Sequence, residues 1–140
     1  MIKDQSYWII PIYKKPEWDC EILVIDQKSN NGSFWWFPKW HPEVWEDGIM
    51  AAEREFKEEV GINDIEIIKD KYFDMSYVFK DKWKKINKTV RYRIGFVKTK
   101  NVNIQEKELN WYQRLDFDSA IKILSHENTR NILKKVIQEI

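Results

Sequence analysis

A chain of 140 residues with 43% hydrophobic and 34% charged side chains is long enough for one buried core, so a single domain over 1–140 is expected. Its apolar runs, such as Trp8-Ile9-Ile10-Pro11-Ile12, are too short to span a bilayer, and no secretion signal is visible at the N-terminus. One cysteine, Cys20, rules out an internal disulfide framework, a formal net charge of +1 argues against a broadly basic nucleic-acid surface, and a cytoplasmic location is the default.

In chain order, Ser6–Tyr13 and Glu21–Asp26 are rich in β-branched and aromatic residues and read as strands, with a turn at Lys14–Asp19 around Pro16. Gln27–Ser33, containing Asn30-Asn31-Gly32, reads as a second turn, and Phe34–Phe37 as a short strand stopped by Pro38. From Glu46 to Val60 the period becomes helical: Ile49, Ala52, Phe56 and Val60 form one apolar stripe, and Gly61 stands at the C′ position. Three strand-like runs follow, Ile65–Lys69, Tyr72–Phe79 and Thr89–Lys98, then closing helices over Asp116–Leu124 and Asn128–Ile140. Strands interrupted by one central helix and followed by terminal helices predict an α/β fold, a mixed sheet covered on both faces. Five lysines, Lys80, Lys82, Lys84, Lys85 and Lys88, crowd into nine residues, either as a solvated hairpin tip or as an attractor of a polyanion. Eight tryptophans are mostly packing residues, with one or two available to stack on a base.

The end of the central helix is chemically unusual. Glu55, Glu58 and Glu59 are spaced i, i+3 and i+4, so three like charges share one face at the negative end of the helix dipole. A stability-driven sequence favours lysine there. A divalent cation resolves the conflict, and hard carboxylate oxygens without histidine or cysteine suit Mg2+, with Mn2+ as a substitute. Arg54 is placed to pair with and orient one carboxylate.

The segment from Glu46 through Arg54, Glu55, Phe56, Glu58, Glu59 and Gly61 to Ile62 resembles the Nudix box, G-x5-E-x7-R-E-U-x-E-E-x-G-U, where U is bulky and aliphatic. Every position from Glu46 onward fits once Phe56 counts as bulky and apolar; the opening glycine is replaced by Trp40. A chance match of this kind is on the order of one in a million. The resemblance implies a Nudix-type α/β/α sandwich and metal-dependent hydrolysis of a phosphoanhydride bond. It implies Glu55, Glu58 and Glu59 as metal ligands, Glu58 and Arg54 as catalytic groups, and a backbone carbonyl near Lys39 facing the metal.

Other segments resemble the diadenosine tetraphosphate hydrolase branch of that family: Phe37-Pro38-Lys39-Trp40-His41, Lys88-Thr89-Val90-Arg91-Tyr92, and the stretch from Glu108 through Tyr112 to Arg114. This resemblance implies Lys39, His41, Lys88 and Tyr92 as substrate contacts and Glu108 as a further catalytic carboxylate, with Glu106 competing for that role. Core packing is the competing reading for Tyr92 and Tyr112. The implied partner is a small nucleotide, with asymmetrical cleavage of diadenosine tetraphosphate leading. Pyrophosphate removal from nucleoside triphosphates or RNA 5′ ends is the sibling reading, and a nucleotide sensor on the same scaffold a third. Neither a membrane nor a longer nucleic acid is expected as partner, and the state is monomer or homodimer.

Overall fold

The computed structural model describes residues 2–14, 20–29, 32–40, 48–98, 102–105 and 109–139. Its strands are β1 (Ile2–Lys14), β2 (Cys20–Ser29), β3 (Gly32–Trp36), β4 (Lys39–Trp40), β5 (Ile65–Ile67), β6 (Phe73–Asp81), β7 (Lys84–Val97) and β8 (Leu109–Leu115). The helices are α1 (Gly48–Val60), α2 (Phe117–Ile123) and α3 (Glu127–Glu139). Among the described residues no helix is long and apolar enough to cross a membrane.

The eight strands form one mixed sheet in which β1 and β7 run parallel, from Ile2 opposite Ile86 to Tyr13 opposite Val97. All other pairings are antiparallel: β1 with β2 and β4, β2 with β3 and β8, and β7 with β5 and β6. The run Trp8-Ile9-Ile10-Pro11-Ile12 is continuously apolar because this strand is buried on both faces. Trp8, Ile10 and Ile12 face one core with Ile22, Val24, Tyr92, Leu124 and Leu133, beneath α2 and α3. Ile9 faces the other with Leu23, Ile25, Ala52, Phe56 and Val60, beneath α1. The architecture is therefore the expected α/β/α sandwich. Pro11 falls between the residues of β1 that pair with β4 (Tyr7, Trp8) and those that pair with β2 (Ile12–Lys14), a gap where a residue lacking an N–H is tolerated.

Several boundaries differ from the sequence reading. β2 continues to Ser29 and β3 starts at Gly32, so the turn is shorter than Gln27–Ser33; Gly32 supplies the positive φ of 112° that such a tight reversal needs. β7 begins at Lys84 rather than Thr89, because Lys84–Lys88 are held by pairing with β6 and β1 rather than by burial. β8 was not expected at all: only Leu109 is buried, so it lacks a clean apolar alternation, and β2 alone holds it in the sheet. The first helical turn over Glu46–Asp47, the turn at 15–19 and the Asn30-Asn31 pair lie outside the described residues.

The stripe of α1 behaves as its spacing predicts, with Ala52, Phe56 and Val60 buried. Gly61 ends the helix at φ 72°, its N–H donating to the Lys57 carbonyl at 3.0 Å, which is the single-bond left-handed cap. The segment 102–105 then satisfies further terminal carbonyls: Asn103 N–H donates to Val60 O at 2.9 Å and Gln105 N–H to Glu59 O at 2.8 Å. α2 starts at Asp116, whose carboxylate accepts from Ser119 N–H at 2.8 Å. Arg130 Nη1 donates to Leu124 O at 2.7 Å and joins the end of α2 to α3.

A Cβ at Gly61 would lie 2.8 Å from the Asn103 carbonyl oxygen, and an L side chain disfavours this φ. Gly61→Ala is therefore expected to lower the unfolding free energy by about 1–3 kcal/mol, measured by urea denaturation, with the slope unchanged.

Candidate functional site

Two clusters of candidate residues emerge, one at the end of α1 and one on the opposite face of the sheet. On α1, the Arg54 guanidinium lies between two carboxylates, 2.9 Å from Glu55 Oε1 and 3.6 Å from Glu58 Oε2. Glu58 has 57% of its side chain exposed. Glu59 is 5% exposed, the opposite extreme within one turn. The sequence reading had Arg54 orienting one carboxylate; it reaches two. The expected convergence of all three glutamates is only partly realised, since among the described residues no three acidic, histidine or cysteine side chains stand close enough to share a metal ion. Mutual repulsion spreads unscreened carboxylates, and the Arg54 pairs hold two of them on one side of the helix.

The donor set nevertheless fits a hard divalent cation. It offers three carboxylates within two turns and no sulfur or imidazole, and one of them is buried at the helix end where negative charge is least stable.

Lys88 and Tyr92 lie in the second cluster. They line a pocket of about 280 Å³ together with Trp8, Trp36, Met75, Tyr77, His126 and Thr129. Alternation along β7 places Lys88, Val90 and Tyr92 on one face of the sheet, towards α3. The Lys88 ammonium stands 3.8 Å from the Asp4 carboxylate on the neighbouring strand and is mostly shielded from solvent. Trp8 packs on Tyr92 with ring centroids 5.1 Å apart and edge-on to Trp36 at 5.3 Å. His126 lies against Trp36 at 5.7 Å and Phe34 at 5.1 Å. The Trp36 indole is fixed by donation from Nε1 to Gln27 Oε1 at 2.6 Å. Both readings of Tyr92 therefore hold, since its ring is fully buried core and also the pocket floor. Its hydroxyl has no hydrogen-bond partner among the described residues, and burial pushes the phenol well above its ordinary pKa, offset only in part by Thr129. Burial, and then the charge of Asp4, raise the Tyr77 phenol at the pocket rim.

The described structure thus brings Lys88 and Tyr92 together but does not place the α1 glutamates in the same pocket. The element between them is β4: Lys39 pairs with Trp8, whose side chain lines the pocket, and β4 also packs against α1. The side chains of Lys39 and Trp40 are outside the described residues, as are His41, Glu106 and Glu108 altogether. Trp8, Trp36, His126 and Thr129 were not singled out as contacts by sequence. They come from three separate segments, and only the concentration of tryptophan hinted at them.

The family model for the NUDIX domain matches residues 6–138. The chain belongs to the Nudix family. It is 31% identical over 118 residues to the asymmetrical bis(5′-nucleosyl)-tetraphosphatase of Sus scrofa, covering 82% of this chain and 77% of that one. It is 29% identical over 128 residues to an RNA pyrophosphohydrolase of Campylobacter jejuni subsp. doylei, covering 86% and 81%. Its fold is similar to that of a C. elegans Ap4A hydrolase in a binary complex, with a TM-score of 0.80 at 24% identity and 96% of each chain covered. The box residues and this membership make the Nudix chain a pyrophosphohydrolase.

Because the Tyr92 hydroxyl is buried without a bond, Tyr92→Phe is expected to shift stability by less than about 1 kcal/mol. Tyr92→Ala removes a fully buried ring and should cost about 3–5 kcal/mol, both read from denaturant midpoints.

Proposed function

We propose that this enzyme hydrolyses a nucleoside polyphosphate, with diadenosine tetraphosphate cleaved asymmetrically to ATP and AMP as the leading reaction. The observation that carries this reading is the pocket itself: aromatic walls from Trp8, Trp36 and Tyr92 with a single ammonium, Lys88, at its side. Such a lining takes a flat base on its rings and a phosphate on its cation. The glutamates lie at another element, so a substrate that engages both must be extended. A chain of several phosphates is.

Glu55, Glu58 and Glu59 would hold Mg2+, or Mn2+ in its place. When bound, the cation neutralises charge on the phosphate oxygens and acidifies water. Arg54 keeps Glu55 and Glu58 on one side of the helix in readiness for that cation. Glu58, the most exposed of the three, is placed to accept a proton from the attacking water. Glu108 is the second candidate for this role: the flanking Gln105 donates to the Glu59 carbonyl, and Leu109 packs in the core beneath α1. Lys39 and His41 complete the phosphate contacts in this proposal. A cytoplasmic enzyme acting as monomer or homodimer is the setting we infer, in keeping with a lone buried thiol, Cys20.

Removal of pyrophosphate from RNA 5′ ends is the second reading, favoured by the similarity to RNA pyrophosphohydrolases over 86% of the chain.

Glu58→Gln keeps the side-chain volume and removes the charge. It is expected to lower kcat by at least about 100-fold with an unchanged melting temperature in EDTA. Mg2+ should raise the melting temperature of the wild type more than that of the variant, because a ligand that binds only the native state stabilises it by mass action. A variant retaining most of its turnover rejects Glu58 as ligand and base. Chromatography of the products of diadenosine tetraphosphate should show ATP and AMP in equal amounts. Two ADP, or no reaction beside rapid hydrolysis of 5′-triphosphate RNA, rejects the leading substrate.

A further inference from the structure

The hairpin of β6 and β7 is more than a solvated tip. Its turn is Lys82-Trp83, between Asp81 and its register partner Lys84, with Lys82 at a φ of 57°. β6 pairs only with β7, so among the described residues its outer edge is open. An isolated hairpin normally keeps apolar side chains off such an edge, yet Tyr77, Val78 and Phe79 are all exposed and Trp83 is 100% exposed.

These residues are arranged in line. Tyr77 lines the pocket that also holds Lys88, and its ring lies 5.8 Å from that of Phe79, the next residue on the same face. Beyond Phe79, Trp83 joins Ile2, Lys84 and Lys85 around an open groove of about 610 Å³. The charge is as uneven as the hydrophobicity. From Lys80 to Lys88 there are five lysines against one aspartate, in a chain whose whole net charge is +1. A second copy of the chain would bring these lysines against themselves. A polyanion carrying flat apolar groups satisfies both the lysines and the rings.

We propose that this hairpin is a docking rail for single-stranded RNA, whose bases stack on Phe79 and Trp83 while its phosphates follow Lys80, Lys82, Lys84 and Lys85. The strand would leave the pocket past Tyr77 and run toward the hairpin tip. The rail itself is independent of catalysis. Its assignment to RNA rather than DNA rests on the nucleoside polyphosphate reading of the pocket, since RNA transcripts carry 5′ polyphosphate ends. Single strands are required because stacking on a side chain needs an unpaired base.

The test uses a fluorescein-labelled A12 oligoribonucleotide with a 5′-hydroxyl, which the enzyme has no phosphoanhydride to cleave. Anisotropy titrations compare the wild type with Trp83→Ser and with Lys84→Ser/Lys85→Ser, none of which touches the pocket or α1. Trp83→Ser should weaken binding about tenfold. The double lysine variant should also weaken it, and reduce the slope of log K against log salt by about 0.7 per lysine. Both should retain wild-type melting temperatures and wild-type hydrolysis of diadenosine tetraphosphate. No binding by the wild type, or equal binding by all three proteins, overturns the rail. A preference for the deoxy A12 strand overturns its assignment to RNA. Sedimentation showing a wild-type dimer that Trp83→Ser dissociates, with oligonucleotide binding unchanged, assigns the hairpin to self-association instead. Loss of hydrolytic activity on every nucleotide, with A12 binding intact, would reject the proposed reaction and leave the rail standing.

Discussion

The parallel pairing of β1 with β7 is the constraint on which the rest of this molecule hangs. It is the only parallel seam in the described sheet, and every other strand is attached to one side of it or the other. β2 and β4 hang from β1, β5 and β6 from β7. The seam also sets the pocket directly, because Trp8 and Tyr92 are register partners and their rings form its floor. A slip of one residue would turn Lys88 and Tyr92 to the face covered by α1. Substrate-facing chemistry and core packing are thus products of one register.

The other half of the site depends on how a helix is ended. α1 carries its acidic residues where the backbone dipole is least hospitable to them, and two devices keep that turn in place. Gly61 closes it with a left-handed cap, and the segment around Asn103 and Gln105 donates to its last carbonyls. Arg54 then groups Glu55 with Glu58, while Glu59 is drawn into the interior. Stability lost to like charges is offset by capping and packing elsewhere. The same arrangement leaves strong oxygen donors facing outward.

How much of this could be read from the residues varies with the physics behind each element. α1 was legible almost to the residue, because a helical stripe and a terminal glycine are local signals. Strand ends were not: Ile2–Gln5 and Lys84–Lys88 are partly or largely exposed and extend only because a neighbour pairs with them. β8 was missed for the same reason, being an outer strand with one buried side chain. At the site, Lys88 and Tyr92 were found through resemblance, whereas Trp36 and His126 meet them across the fold, and no spacing encodes such a meeting. The grip of Arg54 on two carboxylates is a choice of side-chain conformation that spacing permits and does not dictate.

The seam has a further consequence for the life of the chain before it is folded. Each residue of β1 finds its β7 partner more than half the chain later, as Ile2 does at Ile86 and Tyr13 at Val97. Such non-local pairing is slow, because the intervening loop must be closed before any contact rewards it. During synthesis, the apolar run Trp8–Ile12 therefore leaves the ribosome long before its partner strand exists. For that interval it is an unpaired, sticky segment on an unfinished protein, the kind of segment that chaperones hold. Production of this enzyme should thus be limited less by its final stability than by how long β1 must wait.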